Sequence, residues 1–235
     1  GNWLEFIRYT TLFAKEPGTC EWIHKVVATG SVFYDIGANV GVYSILAADR
    51  VGKSGKVFAF EPHAANFSRL LDNIAANRLG HIVTPCDFAL HEKDGFFPFN
   101  YMSCEVGSSN SQLCYLTNDA MGENQTDTSE IKHAVSVDSL VGSGRFPAPD
   151  HVKIDVDGNE LPILRGMSAV LNSSTPPKSI QVETSRSERE HILSFMENHN
   201  YGSTAEHCSV CVTKLSDREK SAENCVSNTI FQPKN

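Results

Sequence analysis

The sequence predicts an α/β fold of the Rossmann-like kind: a mostly parallel sheet of seven strands with helices on both faces. Three observations carry that prediction. Strand-sized apolar runs alternate with helical patterns from residue 32 onward, the signature of strand–helix–strand units. The first run leaves through a turn of almost no side chains, Asp35-Ile36-Gly37-Ala38-Asn39-Val40-Gly41. The second run ends in an acid, Glu61, which follows Gly37 by 61 − 37 = 24 residues.

The elements follow in order. Residues 3–29 carry Trp3, Phe6, Ile7, Trp22, Ile23, Val26 and Val27 at helical spacing, punctuated by Pro17-Gly18-Thr19, and predict one or two amphipathic helices. SVFYDI is the first strand and VGVYSILAADR its helix; KVFAFEP is the second strand. Residues 64–78 place Phe67, Leu70, Leu71 and Ile74 on one helical face. HIVTPCDFAL holds a third strand, HVKIDV a fourth, LPILRGMSAVL a helical stretch and KSIQVET a fifth strand, with a further helix over 187–199. CSVCVTKL and CVSNTIFQP close the chain as strands at an antiparallel edge. Residues 101–133 are rich in Ser, Asn, Gly, Thr and Asp with weak periodicity, and are expected to form an inserted loop, either a lid over a site or a disordered insertion. The expected organisation is an N-terminal helical segment, 1–30, packed on one domain, 31–235.

Composition bounds the function. The 235 residues suffice for a core without disulfides or metals. The net charge is −8, which argues against nonspecific binding to nucleic acid or an anionic membrane, since both need clustered Lys and Arg. No apolar stretch is long enough to span a bilayer, and residues 1–15 lack the pattern of a signal peptide. Seven cysteines, Cys20, Cys86, Cys104, Cys114, Cys208, Cys211 and Cys225, show no secreted framework; the expectation is thiols in a reducing cytoplasm. A zinc site from His207, Cys208, Cys211 and Cys225 is the alternative, weakened by the strand-like alternation and the lack of a second paired motif.

A glycine turn between a strand and a helix lets a ligand approach the backbone beyond the carboxyl end of the sheet; a tight strand–helix connection is the plainer reading. Glu61 shifts the balance, because a carboxylate there can accept both hydroxyls of a ribose. A dinucleotide would prefer Gly-x-Gly-x-x-Gly; here Ala38 and Asn39 separate two glycines and the third is missing. S-adenosylmethionine has no phosphate and presents an ammonium and a sulfonium, which suit an acidic turn. Asp35 and Asn39 are then expected on its amino-acid end, Asp87 on the adenine amine and Phe88 against the ring. A turn acid and a core aromatic are the plainer readings of the last two.

Five segments together resemble the FkbM-type methyltransferases: VFYDIGANVGVYSILAA, VFAFEPHAANFSRLLDNIAAN, VSVDSL, HVKIDVDGNELPILRGM and SIQVE. Ala64 stands where the family often has Pro, and Asp157 where it often has Glu. The resemblance implies S-adenosylmethionine as methyl donor and a hydroxyl oxygen as acceptor, sugars being among the acceptor classes. Within it, Asp35, Gly37, Ala38, Asn39, Gly41, Glu61, Pro62, Asp87 and Phe88 are the expected cofactor residues.

Lys153-Ile154-Asp155-Val156-Asp157-Gly158-Asn159-Glu160 sets acids at the end of the fourth strand. An EF-hand would need Gly sixth and Glu twelfth, where Glu160 and Gly166 stand. A divalent ion on Asp155 and Asp157 is a lesser alternative, and no metal is expected. An alcohol acceptor is a weak nucleophile and benefits from a nearby base. Asp155 leads, then Glu183, then His133 or His63, with Lys153 pairing one of the acids; Glu160 reads as a helix cap or ion-pair partner. Two competing functions share the pattern: a nicotinamide-dependent oxidoreductase, and a noncatalytic module that keeps the fold for partner binding.

Overall fold

The structure is a computed structural model that describes residues 6, 10–11, 14–113, 128–208 and 227–234. In chain order these form α1 (Pro17–Val26), β1 (Val32–Ile36), α2 (Val42–Val51), β2 (Lys56–Phe60), α3 (Ala64–Ala76), β3 (Val83–Cys86), β4 (Ala89–Leu90), β5 (Gly95–Asn100), β6 (Gln112–Leu113) and β7 (Ser129–Val135). There follow α4 (Val137–Gly142), β8 (His151–Ile154), α5 (Glu160–Arg165), α6 (Ser168–Leu171), β9 (Ser179–Thr184), α7 (Arg189–Asn198), β10 (Tyr201–Cys208) and β11 (Ser227–Pro233).

The main sheet has seven strands in the order β10-β11-β9-β8-β1-β2-β3. Pairings β9–β8–β1–β2–β3 are parallel. β11 runs antiparallel to both neighbours and lies inside the edge, with β10 outermost. The order reverses between β1 and β8, so a crevice opens beyond their carboxyl ends.

Alternating side chains divide the core between the two faces of this sheet. Tyr34, Ile36, Phe58, Phe60, Val152, Ile154, Ile180 and Val182 pack with α4 to α7 on one face. Phe33, Val57 and Ala59 pack with α1, α2 and α3 on the other. Each fully buried side chain of this size contributes roughly 1.5–3 kcal/mol. The second face also carries a polar row in register: Asp35 opposite Lys153, and Lys153 opposite Gln181.

A second sheet, β4-β7-β5-β6, was not expected. It converts part of the predicted 101–133 loop into strand, since β7 begins at Ser129. Its pattern misleads because the pleat is inverted: Ile131 and Phe96 face outward, while Glu130 and Lys132 are partly covered and Ala134 is buried. The helical stretch 161–171 divides into α5 and α6, and Pro17 opens α1 rather than breaking it.

Cys20 and Cys86 are buried thiols and Cys104 is an exposed one. Cys208 is disulfide-bonded, which removes it as a zinc thiolate and takes away the premise of uniformly reduced cysteines. Cys114, Cys211 and Cys225 lie outside the described residues, as do Trp3 and Ile7. Among the described residues no cluster of His, Cys, Asp or Glu is arranged to hold a metal ion, and no helix is long and apolar enough to cross a membrane.

Candidate active site

A cavity opens beyond the carboxyl ends of β1, β2, β8 and β9. It is lined by Gly37, Ala38, Asn39 and Val40 of the β1–α2 turn, and by Glu61 and Pro62 after β2. Phe88, Leu90 and Ile163 supply apolar wall, and Lys153, Asp155, Asp157 and Glu183 an ionisable one. Most of the expected site residues therefore meet in one space.

The turn itself is built differently from the expectation. Gly37 has φ +80°, and a Cβ there would sit 1.8 Å from the Asp155 carbonyl oxygen. Gly41 has φ +89°, and its Cβ would sit 2.4 Å from Leu70 Cδ1. What approaches these glycines is the protein's own backbone and core. The main-chain donors of the turn are engaged too. Gly37 and Ala38 N–H donate to the Phe60 carbonyl, both at 3.0 Å, and Gly41 N–H to the Ala38 carbonyl at 2.8 Å. Asn39 N–H donates to Glu61 Oε2 at 2.6 Å.

Glu61 is 6% exposed. Its other oxygen, Oε1, accepts from His63 N–H at 2.9 Å. Two backbone donors fix the carboxylate, which lines the cavity. Gly41 does not line the cavity; it caps α2.

Three expectations are corrected. Asp35 is fully buried and does not line the cavity: Ser44 Oγ donates to its Oδ2 at 2.6 Å, and its Oδ1 lies 3.8 Å from Lys153 Nζ. It follows the pleat into the second face of the sheet. Asp87 is exposed at the β3–β4 turn and does not line this cavity, whereas Phe88 does line it and packs edge-on against Phe60. Neither histidine suits a base. His63 Nδ1 accepts from Asn66 N–H at 3.3 Å, so its Nε2–H donates to the Ser103 carbonyl at 2.8 Å. His133 stands on the outer face of the second sheet beside Phe96.

Lys153 is 1% exposed and sits 2.9 Å from Asp155 Oδ2. Burial pulls its pKa down, but Asp155, Asp35 and Glu16 outweigh that and push it up, so the ammonium stays charged. Burial pushes the Asp35 carboxyl up against the pull of Lys153. The shorter contact makes Asp155 the main counter-charge of the lysine. Glu183 is pushed up to about 10, first by repulsion from Asp155 and then by burial. Two carboxyls sharing one space cannot both ionise easily, and with the ammonium bonded to Asp155, Glu183 is the one whose proton is held more tightly. Glu160 caps the β8–α5 turn: Val156 N–H donates to its Oε1 and Gly158 N–H to both its oxygens.

Sequence reasoning missed the far wall. Lys15, Glu16 and Tyr43 line the cavity, with Tyr43 Oη donating to Glu16 Oε2 at 2.7 Å and Lys153 Nζ 4.9 Å from the Tyr43 ring centroid. It also missed the roof of Ser108, Ser109 and Ser111. Tyr43 was legible only as a helix residue.

Strand order, crevice position and an acid closing the second strand define a Rossmann-like methyltransferase fold. Structure comparison bears this out. The methyltransferase domain resembles Precorrin-6y C5,15-methyltransferase of Geobacter metallireducens GS-15 with a TM-score of 0.52, 15% identity, and coverage of 93% of this chain and 86% of that one. It also resembles the methyltransferase FkbM of Methylobacillus flagellatus KT, with a TM-score of 0.50, 14% identity, and coverage of 89% and 50%. The family model described as the methyltransferase FkbM domain matches residues 35–202, and the chain belongs to that family. A curated relative, the hexuronic acid methyltransferase AglP of Haloferax volcanii, is 30% identical over 142 residues, covering 60% of this chain. The chain spans about half, 52%, of that relative's length.

Proposed function

We propose that this methyltransferase moves a methyl group from S-adenosylmethionine to a hydroxyl oxygen of a sugar-like small molecule, with Asp155 as the base. The observation that carries the reading is the meeting of Glu61, Asp155 and Glu183 in one cavity across β2, β8 and β9.

The residues present fit the cofactor. Glu61 offers a fixed carboxylate suited to paired hydroxyls, and Phe88, Leu90 and Ile163 offer apolar wall for a ring. Asn39 and the acids nearby suit a cationic amino-acid end. When bound, S-adenosylmethionine supplies a methyl group already activated by positive sulfur. The chain's own residues hold the acceptor in line and exclude water. Asp155 would take the hydroxyl proton of the acceptor as its oxygen gains the methyl group. Lys153 holds Asp155 ionised beforehand, and Glu183 as the neutral acid can donate a hydrogen bond to the acceptor or its neighbour.

The oxidoreductase alternative is disfavoured by the turn. A pyrophosphate needs backbone donors aimed at it, and the N–H groups of Gly37, Ala38, Asn39 and Gly41 are engaged within the protein. The acceptor class draws on the relative whose name gives a hexuronic acid.

The test is transfer of label from methyl-labelled S-adenosylmethionine to a panel of glycosides, simple alcohols, amines and carbon acids. Labelled methyl ether from a glycoside supports the reading. Label found only on nitrogen or carbon acceptors contradicts it.

A further inference from the structure

We infer that Asn66, on the first turn of α3, is a positioning residue that holds the segment 103–111 as the roof of the cavity and, through it, sets the cofactor-binding geometry of Asn39 and Glu61. The cofactor half of this inference rests on the reading proposed above.

Asn66 is 2% exposed, and its side chain is used at both ends. Its Oδ1 accepts from Gly107 N–H at 2.7 Å, and its Nδ2 donates to the Ser108 carbonyl at 3.1 Å. A side-chain amide bonded to the N–H of Gly107 and the carbonyl of Ser108 grips both ends of this two-residue stretch and fixes its position and orientation. Gly107 adopts φ +83° there, so the segment turns sharply at the point where it is held. The same Ser108 carbonyl accepts a second bond, from Asn39 Nδ2 at 2.8 Å. Asn39 in turn donates its N–H to Glu61. A continuous chain of hydrogen bonds therefore runs from α3 through the roof to the cofactor turn and the ribose-binding acid.

Further bonds anchor the roof. His63 Nε2–H donates to the Ser103 carbonyl, and Asn110 N–H donates to Asp157 Oδ2 at 2.6 Å. The segment thus spans from the cofactor turn to the acidic turn after β8, and Ser108, Ser109 and Ser111 face the space between. Asn66 stands at its middle. With Ala there, the bonds from Asn66 to Gly107 N–H and to the Ser108 carbonyl are lost while the other anchors remain. The roof is then expected to loosen over the cofactor half more than over the acidic half.

The experiment compares wild type with Asn66→Ala and Asn66→Asp. Amide hydrogen exchange of the ligand-free proteins reads the roof without any cofactor. Asn66→Ala is expected to speed exchange at Gly107 by about tenfold or more. Asn66→Asp keeps an acceptor for Gly107 but sets a carboxylate against the Ser108 carbonyl, so Gly107 protection should persist. Calorimetry with S-adenosylhomocysteine is expected to give a Kd raised about tenfold in both variants, with kcat at saturating cofactor within about twofold of wild type. Unchanged Gly107 exchange in Asn66→Ala overturns the anchoring. Faster exchange with unchanged Kd overturns the link to the cofactor. A kcat loss with unchanged Kd assigns Asn66 to the acceptor side and overturns it as well. Wild type that binds no S-adenosylhomocysteine sinks the cofactor reading and this link with it, while the exchange comparison still decides the anchoring.

Discussion

Lys153→Met should unmask the charge balance beneath the site. The lysine is 1% exposed between Asp35, itself 0% exposed, and Asp155. Methionine fills similar volume, so packing changes little and the loss is electrostatic. Removing one partner of a buried ion pair leaves an uncompensated charge and costs about 3–5 kcal/mol. Against a typical domain stability of about 5–15 kcal/mol, the variant should fold with a narrow margin. The loss should also depend on pH. The carboxyl of Asp35 is pushed up by burial even with the lysine present, and further without it. A carboxyl whose folded pKa is raised binds more protons in the native than in the unfolded state, so stability falls as pH rises through that window. The penalty should therefore be smallest near pH 4 and grow toward neutrality, starting from the ordinary carboxyl range of about 3.9. Asp35→Asn added to Lys153→Met should recover roughly 0.5–3 kcal/mol. Urea unfolding followed by circular dichroism at several pH values measures all three quantities. A loss under about 1 kcal/mol that does not vary with pH, with no recovery in the double variant, would refute the reasoning.

Gly37→Ala should reduce soluble yield or lower stability by at least about 2 kcal/mol, since φ +80° is strained for Ala and its Cβ would meet the Asp155 carbonyl oxygen at 1.8 Å; thermal unfolding reports it. Asp155→Asn should lower kcat/KM by about a hundredfold or more through loss of the proposed base, whereas Glu183→Gln, mimicking the protonated form of that acid, should cost less than about tenfold; steady-state kinetics separates the two. Glu183→Gln should also be more stable than wild type at pH 8. The Glu183 carboxyl, raised to about 10, makes wild-type stability fall as pH rises from its unfolded value toward that point, and glutamine removes that slope; paired denaturant curves check the sign.

The alternation of strands and helices was legible because each parallel strand is buried on both faces and reads as an apolar run, as VFYDI and KVFAF do. Glu61 was legible because an acid ending such a run has few reasons to be there. Asp35 was misread because a one-residue step in a strand moves a side chain to the other face, and only the register opposite Lys153 shows which face that is. The glycines were found but their cause was not: the Asp155 carbonyl and Leu70 come from 118 and 29 residues away, counted as 155 − 37 and 70 − 41. Glu16, Tyr43 and Ser108 reach the cavity only through tertiary packing, so no local pattern marks them. β7 was missed because apolar Ile131 is exposed while Glu130 and Lys132 are partly covered, which breaks the usual alternation.

Calorimetric titration of wild type and Glu61→Gln with S-adenosylhomocysteine, and of wild type with NAD, decides most about the site. The expected result is homocysteine-nucleoside binding by wild type, weakened about tenfold or more in Glu61→Gln by loss of a charged acceptor for the sugar hydroxyls, and no comparable binding of NAD. Tight NAD binding without S-adenosylhomocysteine binding, or equal affinity of the two proteins for S-adenosylhomocysteine, would contradict a cofactor gripped at the end of β2.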